Sequence, residues 1–397
     1  MESDSRSGSP RLLVLGAGPA QLGLLEAARG RGLWIAVVDR DPAAPGFRHA
    51  DRRCILSTED EPAIERLVGA LGIDGMIAPG TDWPVAVAAR VAGHAGLPHP
   101  ISPQTAVLAT NKLRQRERHA EAGVPQPRSW VVGGDDEPPA IDGPVVVKAP
   151  DRQGQKGLTL VADPSELPTA IAVARGAARN GLALVEELVE GPEVTVVGFS
   201  IGGDLTALTV TDRITADPPA FGVALAHVWP SDLGGQALDV TVAAVSALGI
   251  ADGPSYTQLR IGPDGPQVIE VAARLGGGHD AELAEAAVGV DLNGLALDAA
   301  LGNELVMSRH KPLVGGAVTR FLVAPPGILQ SVEVPEGEHV RIYREPGYVF
   351  TPLRRGSDRA GAVLVTGASR DDALARAERV AGAVRFHVGE PLAPLAR

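Results

Sequence analysis

A single cysteine, Cys54, in 397 residues excludes an intrachain disulfide and a cysteine-based zinc centre. Such scarcity fits a reducing compartment. No apolar run reaches the roughly 18 residues needed to cross a bilayer. The opening MESDSRSGSP is polar, carries acidic groups and lacks the apolar stretch of a signal peptide. It reads as a frayed tail over 1–10, and the protein as cytoplasmic. Basic residues are in deficit, 36 Lys and Arg against 48 Asp and Glu for a net charge of −12, which repels phosphate backbones and anionic lipid surfaces. Nucleic acid and membranes are therefore excluded as main partners. There is no tandem repeat or long low-complexity segment. What is present is an ordinary globular composition, 45% hydrophobic and 21% charged, with length enough for several structural units and a large core.

From Arg11, RLLVLGAGPAQLGLLEAARGRGLWIAVVDRD reads as an apolar strand, a glycine turn, an Ala/Leu helix and a second apolar strand ending at Asp39. DGMIAPG and PVAVAARVAGHAG repeat the pattern, so 11–105 is expected to be a doubly wound α/β unit closed by Pro98, Pro100 and Pro103. An α+β unit over 106–195 follows, with the helix TNKLRQRERHAEAG, a strand pair at PVVVKAP and GLTLV, a helix near Pro164 to Arg179 and the strand LALVEEL. EVTVVGFSI, DLTALTVT and a TQLRI/PQVIEVA hairpin predict an antiparallel sheet in a third unit over 196–308, with a helix from about Asp280 to Val288. The remainder, 309–397, is expected to be a small mixed domain containing GAVTRFLVAP, EHVRIYRE and GAVLVTGAS. In it, Ser369 and Asp372 form a capping box before a helix ending near Val384. Trp34, Trp130 and Trp229 are assigned to packing.

Gly16, Gly18 and Gly23 follow a strand and open a helix, where backbone N–H groups can bind an anion. Asp39 could take a ribose hydroxyl. The glycine spacing is one residue longer than the dinucleotide fingerprint, so tight-turn packing or a substrate anion is a better reading than NAD. Lys148 ends a valine strand just before the glycine turn of Gly154, Gln155 and Gly157. A lysine beside a loop whose amides can close over a ligand suits a polyphosphate. In VEELVEGPEV, Glu186 and Glu187 end a strand and Glu193 opens the next, offering acceptors for an adenine amino group and ribose hydroxyls. Gln258 and Glu270 are twelve residues apart across a GPDG turn, an even spacing that puts both on one face of a regular hairpin as oxygen ligands for Mg²⁺. Arg274 and the run Gly276, Gly277, Gly278 lie just beyond, where a guanidinium and bare amides could hold a transferring phosphoryl group. His227 and His279 are candidate substrate contacts, although a lone histidine is more often structural.

The order of these elements, a lysine helix, a lysine strand with a glycine loop, a Glu-Glu hinge and an acidic hairpin followed by Arg and glycines, resembles the ATP-grasp superfamily from about Arg11 to Asn303. The resemblance implies a preATP-grasp α/β domain before two α+β lobes that clamp ATP. It implies that Lys112 and Lys148 contact ATP and that the loop from Gly154 to Gly157 covers its phosphates. Glu186, Glu187 and Leu188 would meet the adenine edge and hinge, and Glu193 the ribose. Gln258 and Glu270 would take Mg²⁺, with Arg274 and Lys148 serving the reaction centre. Two positions depart from the family: it commonly has glutamate at Gln258 and asparagine at Ala272. RAGAVLVTGASRDDALARAERV is similar to the C-terminal domain of the biotin carboxylase branch, whereas ARLGGGHDAELAEAAVGVDL is more similar to L-amino-acid ligases. The activity implied is ligation of a small-molecule carboxylate to an amine through an acylphosphate. The alternatives are a bicarbonate-using carboxylase and a nucleotide-binding protein with weak catalysis. A homodimer is compatible with the resemblance.

Overall fold

The computed structural model describes residues 8–390 apart from 135, 308 and 309. Of the tail expected over 1–10, residues 1–7 lie outside the described residues. The near-continuous apolar runs at Arg11 and Trp34 form β1 (Arg11–Leu15) and β2 (Trp34–Asp39), buried on both faces as parallel strands require. Between them lies α1 (Leu22–Gly30); β3 (Arg52–Ile55), α2 (Glu61–Leu71), β4 (Gly75–Ile77) and α3 (Asp82–Ala95) complete a parallel sheet of order β3-β2-β1-β4. The polar RRCI of β3 carries no strand pattern of its own. Its register is set by pairing with β2.

The helices α4 (Pro103–Ala109) and α5 (Lys112–Glu121) start at Ser102 and Asn111, whose side chains accept from backbone N–H groups. Four strands, β5 (Ser129–Val132), β6 (Val145–Lys148), β7 (Leu158–Val161) and β8 (Ala183–Glu187), form an antiparallel sheet of order β5-β8-β6-β7, with α6 (Leu167–Ala177) closing its valine-rich core.

Beyond it run β9 (Glu193–Ile201), β10 (Asp204–Thr215), β11 (Ala224–Trp229), α7 (Gly234–Ala247), β12 (Gly253–Gly262), β13 (Gly265–Ala272), α8 (Asp280–Val288) and α9 (Leu292–Leu301). The C-terminal part adds β14 (Gly316–Leu322), β15 (Gly327–Glu333), β16 (Val340–Ile342), β17 (Val349–Phe350), β18 (Gly361–Gly367), α10 (Arg370–Ala383) and β19 (Arg385–Gly389). The break near 308 does not divide two sheets. β14 pairs with β11 (Val228 opposite Val318), so β14, β18 and β16 continue one eight-stranded sheet of order β13-β12-β9-β10-β11-β14-β18-β16. The boundary at 195 likewise falls inside β9. At α10 the Ser369 hydroxyl accepts from the Asp372 N–H, but the Asp372 carboxylate turns to the Ala368 N–H, one residue before the cap.

The buried face of α5 is polar. Lys112, Gln115, Arg116 and His119, at positions i, i+3, i+4 and i+7, all point inward. His119 is fully buried and neither ring nitrogen has a partner. Burial, with Arg116 nearby, pushes its pKa down to about 4. In the unfolded chain the ring takes a proton near pH 6.5. The contribution of neutral His119 is thus complete above that pH and is lost as pH falls from about 6.5 towards 4. We expect the urea midpoint to drop over this window, and His119→Leu to remove part of the drop. A midpoint in His119→Leu with the same pH slope as wild type would refute the assignment.

Candidate active site

Between the four-stranded sheet and the large sheet is a cleft of about 790 Å³, open to solvent and floored by α5, β6, β8, β12 and β13. Lys112, Lys148, Gly154, Gln155, Glu186, Glu187, Leu188, Glu193, Gln258 and Glu270 all line it. Gly157, Arg274, His227, the three glycines 276–278 and His279 do not.

The cleft is organised by buried ion pairs. Lys148, 5% exposed, meets one oxygen of Glu186, and Arg116 Nε donates to the other at 2.8 Å. Burial alone would raise the Glu186 pKa; its two cations outweigh that and hold it low. Burial lowers the Lys148 pKa, with Arg116 and Lys112 adding to it against the pull of Glu186. The Glu186 carboxylate therefore holds Lys148 and Arg116, one on each oxygen. Glu187 pairs outward with Arg128, and the Leu188 N–H already donates to the Pro144 carbonyl. Glu193 faces two guanidinia, Arg213 and Arg260.

Lys112 Nζ donates to Glu270 Oε1 at 2.8 Å and to the Arg152 carbonyl at 2.9 Å. Burial opposes the charge on Lys112, but Glu270 and Asp82 more than offset it and the pKa is raised; Lys112 in turn keeps Glu270 ionised against its own burial. Gln258 and Glu270 are direct cross-strand partners. The hairpin is not regular, since a bulge at Ile269 lets Leu259 pair with Val268. The carbonyls around that bulge are gathered by α5: Arg116 donates to Val268 at 3.1 Å and to Ile269 at 2.7 Å, and Gln115 exchanges two bonds with the Val271 backbone. One helix face thus sets both the lysine on the floor and the strand carrying Glu270.

The glycine loop is folded across the cleft. Gln153 accepts from the Asp82 N–H, while Gln155 donates to the Gly222 carbonyl at 3.2 Å and accepts from the Gly356 N–H at 3.3 Å. Gly154, Gln155 and Gly157 all have left-handed backbones. At Gly157 a Cβ would also lie 2.6 Å from the Ala177 methyl, so the position is closed to larger residues by packing as well.

Arg274 lies outside the cleft, with Nε 2.5 Å from Asp82 Oδ1 at the start of α3. The glycine run wraps the Asp280 carboxylate, which accepts from the Gly278 N–H at 3.0 Å; a Cβ at Gly276 would meet it at 2.1 Å. His227 is 2% exposed and 3.4 Å from Asp280, and burial lowers its pKa to about 4 despite that carboxylate. His279 adopts a left-handed backbone at the start of α8, contacts the Tyr343 hydroxyl at 2.5 Å, and joins Arg341, Glu282 and the more exposed Glu26 in one network. At the N-terminal glycine turn, Asp39 accepts from the Ala17 and Asp41 N–H groups, so its carboxylate closes the turn. Sequence reasoning missed Arg116, Arg213, Arg260, Arg359 and Asp82. The signal for Arg116 was its spacing of four from Lys112; the others carried none.

Comparison with known proteins adds the family context. A family model described as L-amino acid ligase C-terminal domain 2 matches residues 320–389. The structure of an L-amino acid ligase from Bacillus licheniformis superposes with a TM-score of 0.84 at 22% identity, covering 97% of this chain and all of that one. The chain has the ATP-grasp fold. Among curated relatives, an uncharacterized protein, y4rH, of Sinorhizobium fredii is 28% identical over 88% of this chain and 77% of its own. A formate-dependent phosphoribosylglycinamide formyltransferase of Burkholderia pseudomallei is 26% identical over 97% of this chain and 99% of the relative. No helix among the described residues is long and apolar enough to cross a membrane.

Proposed function

We propose that this protein is an ATP-dependent carboxylate-amine ligase working through an acylphosphate. One observation carries the reading: in a chain of net charge −12, six cationic residues, Lys112, Lys148, Arg152, Lys156, Arg213 and Arg260, line the cleft against four carboxylates. A cationic cleft in an acidic protein, roofed by a glycine loop, suits a nucleoside polyphosphate. The donor set also fits Mg²⁺, since Glu270 and the Gln258 carbonyl supply paired hard oxygens on facing strands. When bound there, Mg²⁺ would neutralise charge on the phosphates.

In this reading Lys148 and Lys112 orient the phosphates, and the loop 153–157 excludes water that would hydrolyse the acylphosphate. The substrate carboxylate attacks the γ-phosphorus and ADP leaves; the amine then attacks the acyl carbon and phosphate leaves. Arg274, steered by Asp82, would stabilise charge on the transferring group. The similarity to the L-amino acid ligase supports the ligase class, and the formate-dependent relative supports testing formate and bicarbonate as the carboxylate.

The test is a screen for ADP and phosphate release with amino acids singly and in pairs, and with formate or bicarbonate, followed by mass spectrometry of products. Release that requires both a carboxylate and an amine and yields an amide is expected. Thermal stabilisation by NAD(H) but not by ATP·Mg²⁺ would sink the proposal.

A further inference from the structure

Buried cations around the site come with carboxylates. Lys148 and Arg116 share Glu186, Lys112 meets Glu270, Arg213 meets Glu193, Arg274 meets Asp82, and Arg341 meets Glu282 and Glu26. Arg359 departs from this pattern. Its guanidinium lies over the Phe321 ring, 3.7 Å from the centroid. Nε donates to the Gly356 carbonyl at 2.8 Å and Nη1 reaches the Ala224 carbonyl at 3.4 Å; both partners are neutral backbone. Among the described residues it forms no ion pair, and burial holds its pKa below the ordinary arginine range although Tyr343, Tyr256 and Asp280 act against that. The side chain is nonetheless partly exposed, so a ligand can reach it.

Its surroundings tie it to the reaction centre. Gly356, to which Arg359 donates, is also held by Gln155 of the glycine loop, and Gln155 shares the Gly222 carbonyl with Arg213. On the other side, Phe321 stands edge-on to His227 with centroids 5.8 Å apart, and a Cβ at Gly278 would lie 3.3 Å from it. Arg359 therefore stands between the loop over the cleft and the glycine run after Arg274.

We propose that Arg359 anchors the free carboxylate of an amino-acid-type amine substrate. This rests on the ligase reading and narrows it, since a neutral amine would leave the guanidinium without an anion. With neutral carbonyls as its protein partners, the guanidinium keeps further N–H donors, and a planar carboxylate can meet a guanidinium edge with two hydrogen bonds. A desolvated cation lacking a carboxylate is costly, and a ligand anion offsets that cost. The carboxylate to be activated must approach the γ-phosphate beside Lys148 and Glu270. A second carboxylate, on the amine substrate, needs a separate anchor or it would compete for phosphorylation. A phosphate dianion calls for more than one cation, whereas the protein partners of Arg359 here are two neutral carbonyls.

The experiment is calorimetric titration of the full chain with α-amino acids, each matched to its α-amide, and with O-phosphoethanolamine, in the presence and absence of AMP-PNP·Mg²⁺. At least one amino acid should bind wild type about 10- to 100-fold more tightly than its amide, the range expected for a charge-assisted pair. Arg359→Gln should reduce that ratio to near one with AMP-PNP binding retained, which also shows the variant is folded, and Arg359→Lys should restore part of it. Retained discrimination in Arg359→Gln, no amino acid preferred over its amide, or equal binding of O-phosphoethanolamine would each overturn the anchor. Amino-acid preference that depends on Arg359 in a protein that fails to bind AMP-PNP·Mg²⁺ would instead overturn the ligase reading and support the anchor.

Discussion

Replacing Lys148 with methionine is expected to lower kcat for ADP formation by about 10²- to 10³-fold, the usual effect of removing one preorganised charge from a phosphoryl-transfer site. The fold should survive. Lys148 is buried at the end of β6, and methionine keeps the length and apolar stem that pack there. The carboxylate left behind is not orphaned, because Arg116 still donates to Glu186 at 2.8 Å. Loss of rate with an unchanged melting temperature therefore separates a phosphate contact from a packing role. The measurement is steady-state ADP release beside a thermal melt. A near-normal rate in Lys148→Met would mean that phosphoryl transfer occurs outside this cleft.

Much of the fold was legible because its strands and helices obey simple periods. The β1-α1-β2 run, the antiparallel β9 and β10 and the β12-β13 hairpin read directly, and α8 spans Asp280 to Val288 as expected. The segment α5 reads as a helix, but its buried face does not, because the inward residues are Lys112, Gln115, Arg116 and His119, which any hydrophobic pattern assigns to solvent. The ion pairs escaped for a different reason. Arg116 meets Glu186 at a separation of 70 residues and Arg274 meets Asp82 at 192, and no local pattern encodes such partners. Glu186 shows the consequence: nothing in its local sequence points to Lys148, which the pairing of Val146 with Glu186 across the sheet brings within reach of the carboxylate. The C-terminal strands were read as a separate domain because composition cannot show that β14 finds its hydrogen bonds on β11.

Glu270→Gln is expected to reduce turnover by about 10³-fold and to raise the Mg²⁺ concentration for half-maximal activity. Glu270 is the one carboxylate of the facing pair. Its partner Gln258 is neutral, and the Gln258 amide donates to the Tyr256 hydroxyl at 2.9 Å, leaving its carbonyl oxygen as the atom able to meet a cation. Glu270→Gln also leaves the Lys112 ammonium beside the cation site without the charge that balances it. Both changes weaken cation binding, so the effect should exceed that of a single lost hydrogen bond. Gln258→Glu supplies the opposite test. A second carboxylate across from Glu270 should lower the Mg²⁺ requirement if Gln258 faces the metal. If its amide instead positions substrate through Tyr256, the rate should fall with the Mg²⁺ dependence unchanged. Calorimetric binding of Mg²⁺ with ADP, alongside the activity titration, reads the metal directly: tighter binding in Gln258→Glu and weaker binding in Glu270→Gln is the expected pair. Identical Mg²⁺ curves for wild type and Glu270→Gln would show that the β12-β13 hairpin does not hold the metal at all.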